Sequence, residues 1–186
     1  MPIRNQFLLR YIFDSRSLVY LLTIVLAVGL KYHYSVASTV DLIWVLRPTA
    51  ILVEIITGHS YIFEKGAGFI NKEIGIIIAK SCAGVNFLIM VFGLSVSTLI
   101  HHLKSSLAKY LIFLGSLLWA YVLTILVNAI RIIGAIGLFQ MEGNILWLDK
   151  ADLHRLQGIF FYFAFLCLFY FMLRKIILRY QYEHEQ

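Results

Sequence analysis

Cysteine is scarce in this sequence, with two among 186 residues, so a disulfide framework is excluded as a source of stability. Charge is scarce too. Asp, Glu, Lys and Arg make up 14% of the chain, where a soluble domain carries about 25%. Linkers, low-complexity tracts and internal repeats are missing, which leaves a single domain, residues 1–186. There is no HExxH pattern, and the adjacent His101 and His102 stand apart from the acids, so neither a metal nor another cofactor is expected. No small-residue cleavage site follows the first apolar run, so that run is expected to stay as an anchor.

Apolar side chains fill the space these absences leave. They make up 61% of the residues, against roughly 45–50% in soluble proteins, and the mean hydropathy is +0.84. They cluster in runs nearly free of charge. A bilayer core about 30 Å thick needs roughly 20 such residues in a helix. Four runs qualify or can be extended to qualify: Ser17–Leu30, Cys82–Ile100, Tyr110–Ile130 and Leu156–Leu173. A fifth, Val40–Thr57, contains Asp41, Arg47, Pro48 and Glu54. Charge in mid-membrane is costly and proline removes a backbone donor, so this segment either spans or lies at the interface as an amphipathic helix.

Charge asymmetry decides between the two. With Val40–Thr57 outside the spans, residues 1–16, the loop His101–Lys109 and the tail from Arg174 share one side. They hold Arg4, Arg10, Arg16, Lys104, Lys109, Arg174, Lys175 and Arg179, half of the 16 basic residues, against the acids Asp14, Glu183 and Glu185. That bias marks the cytoplasmic side. The expected fold is therefore an all-α integral membrane protein, a bundle of about four transmembrane helices with both termini inside. An extracytoplasmic amphipathic segment should accompany it. Lys65-Gly66-Ala67-Gly68 lies between β-branched and aromatic stretches and predicts a short β-hairpin there. The basic excess reads as membrane anchoring through lipid contact, with no nucleic-acid partner.

This topology carries Cys82 at the start of the second span, Arg131 at the end of the third and His154 at the start of the fourth to one depth on the outer face. Unpaired backbone N–H groups at a helix start would stabilise a sulfur anion on Cys82. Gly84 would let a substrate backbone approach closely. His154 can take a proton from a thiol and give one to a leaving amine. Arg131 stays protonated and can bind a developing oxyanion or a carboxylate. Asn128, three residues earlier on the same helix face, could orient Arg131 or donate a second hydrogen bond. Asp149 and Asp152 precede His154 and are candidates to orient its ring. Cys167 reads as a small buried hydrophobe, and Lys80 and Arg155 as snorkelling anchors. His33, His59, His101 and His102 read as solvated or interfacial. Gly93-Leu94-Ser95 resembles part of a serine-nucleophile motif but lies mid-span with no histidine at its depth.

At these residues the chain resembles a known family. Cys82-Ala83-Gly84-Val85-Asn86-Phe87 resembles the Cys-small-Gly motif of the exosortases and archaeosortases. Asn128-Ala129-Ile130-Arg131 resembles their Asn-x-x-Arg motif, and His154 followed by Gly158 and an aromatic span resembles their third. The stretch Thr49–Tyr61 is similar to their segment before the nucleophile. The resemblance covers about Arg47–Leu173 and points to a short class such as exosortase K. Ala83 departs from the pattern, since many members carry serine there. The resemblance implies a cysteine protease or transpeptidase. Its partner would be an exported protein with a C-terminal tripartite sorting signal: a short motif, a transmembrane helix and a basic cluster. The acyl group would pass to a cell-surface acceptor. Cys82 would be the nucleophile, His154 the acid/base and Arg131 the electrostatic partner. The competing reading is a non-enzymatic membrane protein, a transporter subunit or assembly factor in which Arg131 and His154 bind a solute.

Overall fold

A computed structural model describes the backbone of residues 14–140 and 150–184, and the side chains of residues 14–137 and 156–182. Helix α1 covers Ser15–Val36 and α2 Ile43–Thr57. Strands β1 (Ile62–Glu64), β2 (Gly68–Asn71) and β3 (Ile76–Ile78) follow. A 3-10 turn, Lys80–Cys82, leads into α3 (Val85–Leu99), and a second, Ile100–His102, closes it. Two long helices complete the chain, α4 (Ser106–Gln140) and α5 (Lys150–His184). Four helical stretches are long and apolar enough to cross a membrane: Ser15–Val36, Lys80–His102, Ser106–Gly137 and Leu156–Tyr182.

Helix α3 lies in the most deeply buried of these four stretches and touches α1, α4 and α5. Phe87, Leu88, Val91, Phe92 and Val96 recur at three- and four-residue spacing, so they form one wide stripe that is buried throughout. They pack with Val19 of α1, Ala120 and Val127 of α4, and Phe169 and Leu173 of α5. Ser95 is buried on α3 and donates to Val91 O (2.7 Å), which accounts for its hydroxyl without a catalytic partner. At the far end Lys109 is buried and donates to Ser15 Oγ (2.7 Å).

Helix α2 has 15 residues, a length of about 22 Å, which is short of the bilayer core. Val45, Leu46, Thr49, Ala50 and Val53 face inward, while Ile51, Ile55 and Ile56 are exposed. The buried stripe packs on Ala129, Ile132 and Ile136 of α4 and on Cys82, Ala83 and Val85. Pro48 cannot donate to the carbonyl one turn back, that of Trp44. The Tyr121 hydroxyl of α4 donates to that carbonyl instead (2.7 Å), and the two rings stack with centroids 5.8 Å apart. The proline therefore supplies the acceptor that moors α2 to the bundle.

The expected hairpin is a three-stranded antiparallel sheet, ordered β1-β2-β3. The predicted turn at Lys65–Gly68 joins β1 to β2, and Phe63 faces Phe69 across the pair. The added strand is β3, with Phe69 opposite Ile78. Its turn is built by Asn71, whose Oδ1 accepts the N–H groups of Glu73 and Ile74 (2.9 and 3.0 Å), and by Gly75 at φ 66°. A Cβ on Gly68 would collide with Ile78 O, so glycine is required where the outer strands converge. Ile76–Ile78 reads in the sequence as an apolar approach to the helix because an unbroken apolar run has no period to betray a strand.

Candidate active site

Cys82 lies in the 3-10 turn, two residues before Gly84, the cap of α3. It therefore precedes the helix rather than beginning it. Its N–H donates to Ala79 O (2.8 Å), and its carbonyl accepts a hydrogen bond from Asn128 Nδ2. Asn128 is fully buried, and its Oδ1 accepts from the Tyr162 hydroxyl (2.8 Å). One amide side chain on α4 thus ties the cysteine turn to α5. Gly84 adopts φ 67°, and a Cβ there would sit 3.0 Å from Thr124 Cγ2, 3.3 Å from Tyr162 Oη and 3.4 Å from Asn128 Cγ. The open face expected of Gly84 for a substrate backbone is occupied by the protein's own side chains. The glycine lets the turn press against α4 and α5.

Arg131 was expected to end the third span, with a loop from Ile132. Helix α4 instead continues to Gln140, because Ile132–Leu138 remains apolar and contains no breaker stronger than Gly134 and Gly137. Arg131 consequently sits inside the packed bundle, only 5% exposed. Its guanidinium carbon lies 5.3 Å from the centre of the Tyr162 ring, in cation–π range. Gly158 makes room for it, since a Cβ there would lie 3.0 Å from Nη1. Gln157 Nε2 donates to the Arg131 carbonyl (3.2 Å). Among the described residues, Arg131 Nε and Nη2 have no hydrogen-bond partner. A buried guanidinium with two unspent donors is costly unless an anion or a polarised oxygen meets it.

Cys82 and Arg131 are joined through intermediaries. Tyr34 of α1 and Tyr162 of α5 each lie within electrostatic reach of both Cys82 and Arg131. The Tyr34 hydroxyl donates to Lys80 O (3.4 Å), and Lys80 Nζ in turn donates to Ser35 O (3.1 Å) and Ala37 O (2.7 Å). Lys80 was expected to snorkel. It caps the C-terminal carbonyls of α1, so α1 also holds the cysteine turn. The His154 and Asp152 side chains and all of Asp149 lie outside the described residues. The backbone of His154 belongs to α5, one turn before Gly158. Among the described residues, no cluster of three or more His, Cys, Asp or Glu is gathered to hold a metal.

Sequence reading missed Tyr34, Gln157 and Tyr162, and gave Lys80 a snorkelling role alone. A signal for two of them exists. Gln157, Gly158 and Tyr162 are the small and polar interruptions in the first half of an apolar span, the mark of a stripe that faces other helices. No protein-family model, curated protein or solved structure matches this chain.

Proposed function

We propose that the chain is a multi-pass membrane protein with both termini in the cytoplasm and the Cys82 end on the outer face of the cell membrane, acting there as a cysteine transpeptidase of the exosortase/archaeosortase type. The observation that supports it most is the buried Arg131, two of whose donors have no partner among the described residues, linked to Cys82 through Tyr162 and Asn128. The Cys82 sulfur attacks a backbone carbonyl beside the substrate's membrane helix. A C–S bond forms as the carbonyl electrons move to oxygen, and Arg131 stabilises the oxyanion. His154 takes the thiol proton and delivers it to the departing amine as the carbonyl re-forms and the C–N bond breaks. The resulting thioester passes its acyl group to a cell-surface nucleophile or to water. A substrate whose tail is a membrane helix would present its scissile bond near a membrane boundary, and Cys82 lies in the turn that leads into α3.

The reading is tested by trapping. With a tailed substrate and no acceptor, mass spectrometry should find a thioester on Cys82. Cys82→Ala should abolish processing, His154→Ala should nearly abolish it, and Arg131→Ala should slow it by at least ~10²-fold. Cys167→Ala should change little. Reporters fused at Gly66, Gly143 and Ser105 should read outside, outside and inside. Full processing by Cys82→Ala, or an adduct on Cys167, would restore the transporter reading, in which Arg131 binds a solute and Cys82 has no chemical role.

A further inference from the structure

Helix α2 and the sheet line an open cleft of about 380 Å3. Its apolar walls include Ile51 of α2 and the paired rings of Phe63 and Phe69, whose centroids are 5.1 Å apart. Three polar side chains line it: Arg47, Glu54 and Tyr61. Arg47 and Glu54 are seven residues apart on α2, two turns along one face and about 10 Å apart along the axis. Among the described residues, neither enters an ion pair or hydrogen bond, although they carry opposite charges on one helix. The Tyr61 hydroxyl is buried and also has no partner there. Burial, and then the nearby Glu54 carboxylate, push its pKa above the usual tyrosine value, so at neutral pH it remains a hydroxyl that can donate. An apolar cleft with a few converging, unengaged polar groups is the form of a ligand site.

We propose that this cleft binds a short extended peptide segment with a carboxylate at one end and an amino group at the other. The carboxylate meets Arg47. The amino group meets the Glu54 carboxylate, and Tyr61 serves the adjoining backbone. About three extended residues match the ~10 Å rise between the two positions on α2. Apolar side chains in the middle of the peptide rest on Ile51 and the phenylalanine rings. A zwitterionic lipid headgroup fits less well, because its opposite charges are only two carbons apart and cannot reach both ends of the cleft. The proposal does not depend on thiol chemistry at Cys82.

The probe is the free tripeptide Leu-Ala-Leu, titrated against the full chain in detergent by calorimetry. N-acetylated, C-amidated and doubly capped forms serve as comparisons. Each charge-assisted contact should be worth at least ~10-fold in affinity. Amidation should weaken binding by that factor in the wild type and leave it unchanged in Arg47→Ala. Acetylation should do so in the wild type and not in Glu54→Gln. These two cycles tie each end of the peptide to its residue. Affinity that ignores both caps, or a cap effect that persists in the matching variant, would overturn the proposal. So would glycerophosphoethanolamine competing as well as the tripeptide does. The Cys82→Ala protein should bind the tripeptide as the wild type does, which separates this outcome from any failure of the transpeptidase reading.

Discussion

The apolar 18-residue windows within Lys80–His102 and Leu156–Tyr182 have the same mean hydropathy, 2.0, yet 56% of the first is buried in the protein and only 22% of the second. Composition assigns both to an apolar solvent and says nothing about which neighbour supplies it. In α3 the apolar atoms are protein core. In α5 most of them face outward, and the helix joins the bundle through a few positions, among them Gln157, Gly158, Tyr162, Phe169 and Leu173. Centrality thus comes from the pattern of contacts and not from apolarity. The cysteine turn sits at the end of the central helix, and α5 supplies the aromatic ring beneath the arginine.

The sharpest test of this contrast is a matched pair of truncations. Phe92→Ala in α3 removes a fully buried ring and should cost about 3–5 kcal/mol. Phe163→Ala in α5, where the ring is mostly exposed, should cost under about 1 kcal/mol. Reversible unfolding in mixed micelles reads both, and equal losses would break the comparison. Gly84→Ala places a Cβ in a left-handed conformation against Thr124 and should destabilise by about 1–2 kcal/mol. Gly158→Ala should behave differently. Its Cβ meets the flexible end of Arg131, so unfolding should move by less than about 1 kcal/mol. Processing of a tailed substrate should nevertheless fall about tenfold as the guanidinium shifts.

The smallest effect concerns pH. The backbone N–H and hydroxyl of Ser38 both donate to Asp41 Oδ2 (2.8 and 2.7 Å) and hold its carboxyl below the ordinary aspartate value. The unfolded chain takes up a proton at Asp41 before the folded chain does. The contribution is therefore fully present above the ordinary carboxyl range and is lost as pH falls through the lowered folded value. Asp41→Asn should flatten that acid limb of the unfolding curve slightly.

The four apolar helices were legible because run length and charge content suffice to find them. The separate status of α2 was legible too, since Arg47, Pro48 and Glu54 interrupt it. Arg131 misled about the end of its helix. A charge was taken as a boundary, whereas the backbone only needs helix-compatible residues on either side. β3 was hidden in an aperiodic apolar run. The partners of Cys82 were hidden for another reason. Tyr34 and Tyr162 look like any aromatic residues in apolar helices, and only the crossing of three helices gives their hydroxyls an address. Gly84 was picked out correctly as special but for the wrong neighbour, because a sequence does not say which backbone will press against a missing Cβ.

The Asn128 clasp also sets a schedule. Its acceptor at Cys82 lies 46 residues earlier in the chain, and its second partner, Tyr162, lies 34 residues later. A ribosome that has delivered only the first three apolar helices has made the thiol and the arginine but not the ring that fixes the amide between them. The cysteine turn can be locked only after the last of these helices has emerged. A chain that stalls before Tyr162 should leave that turn unlocked.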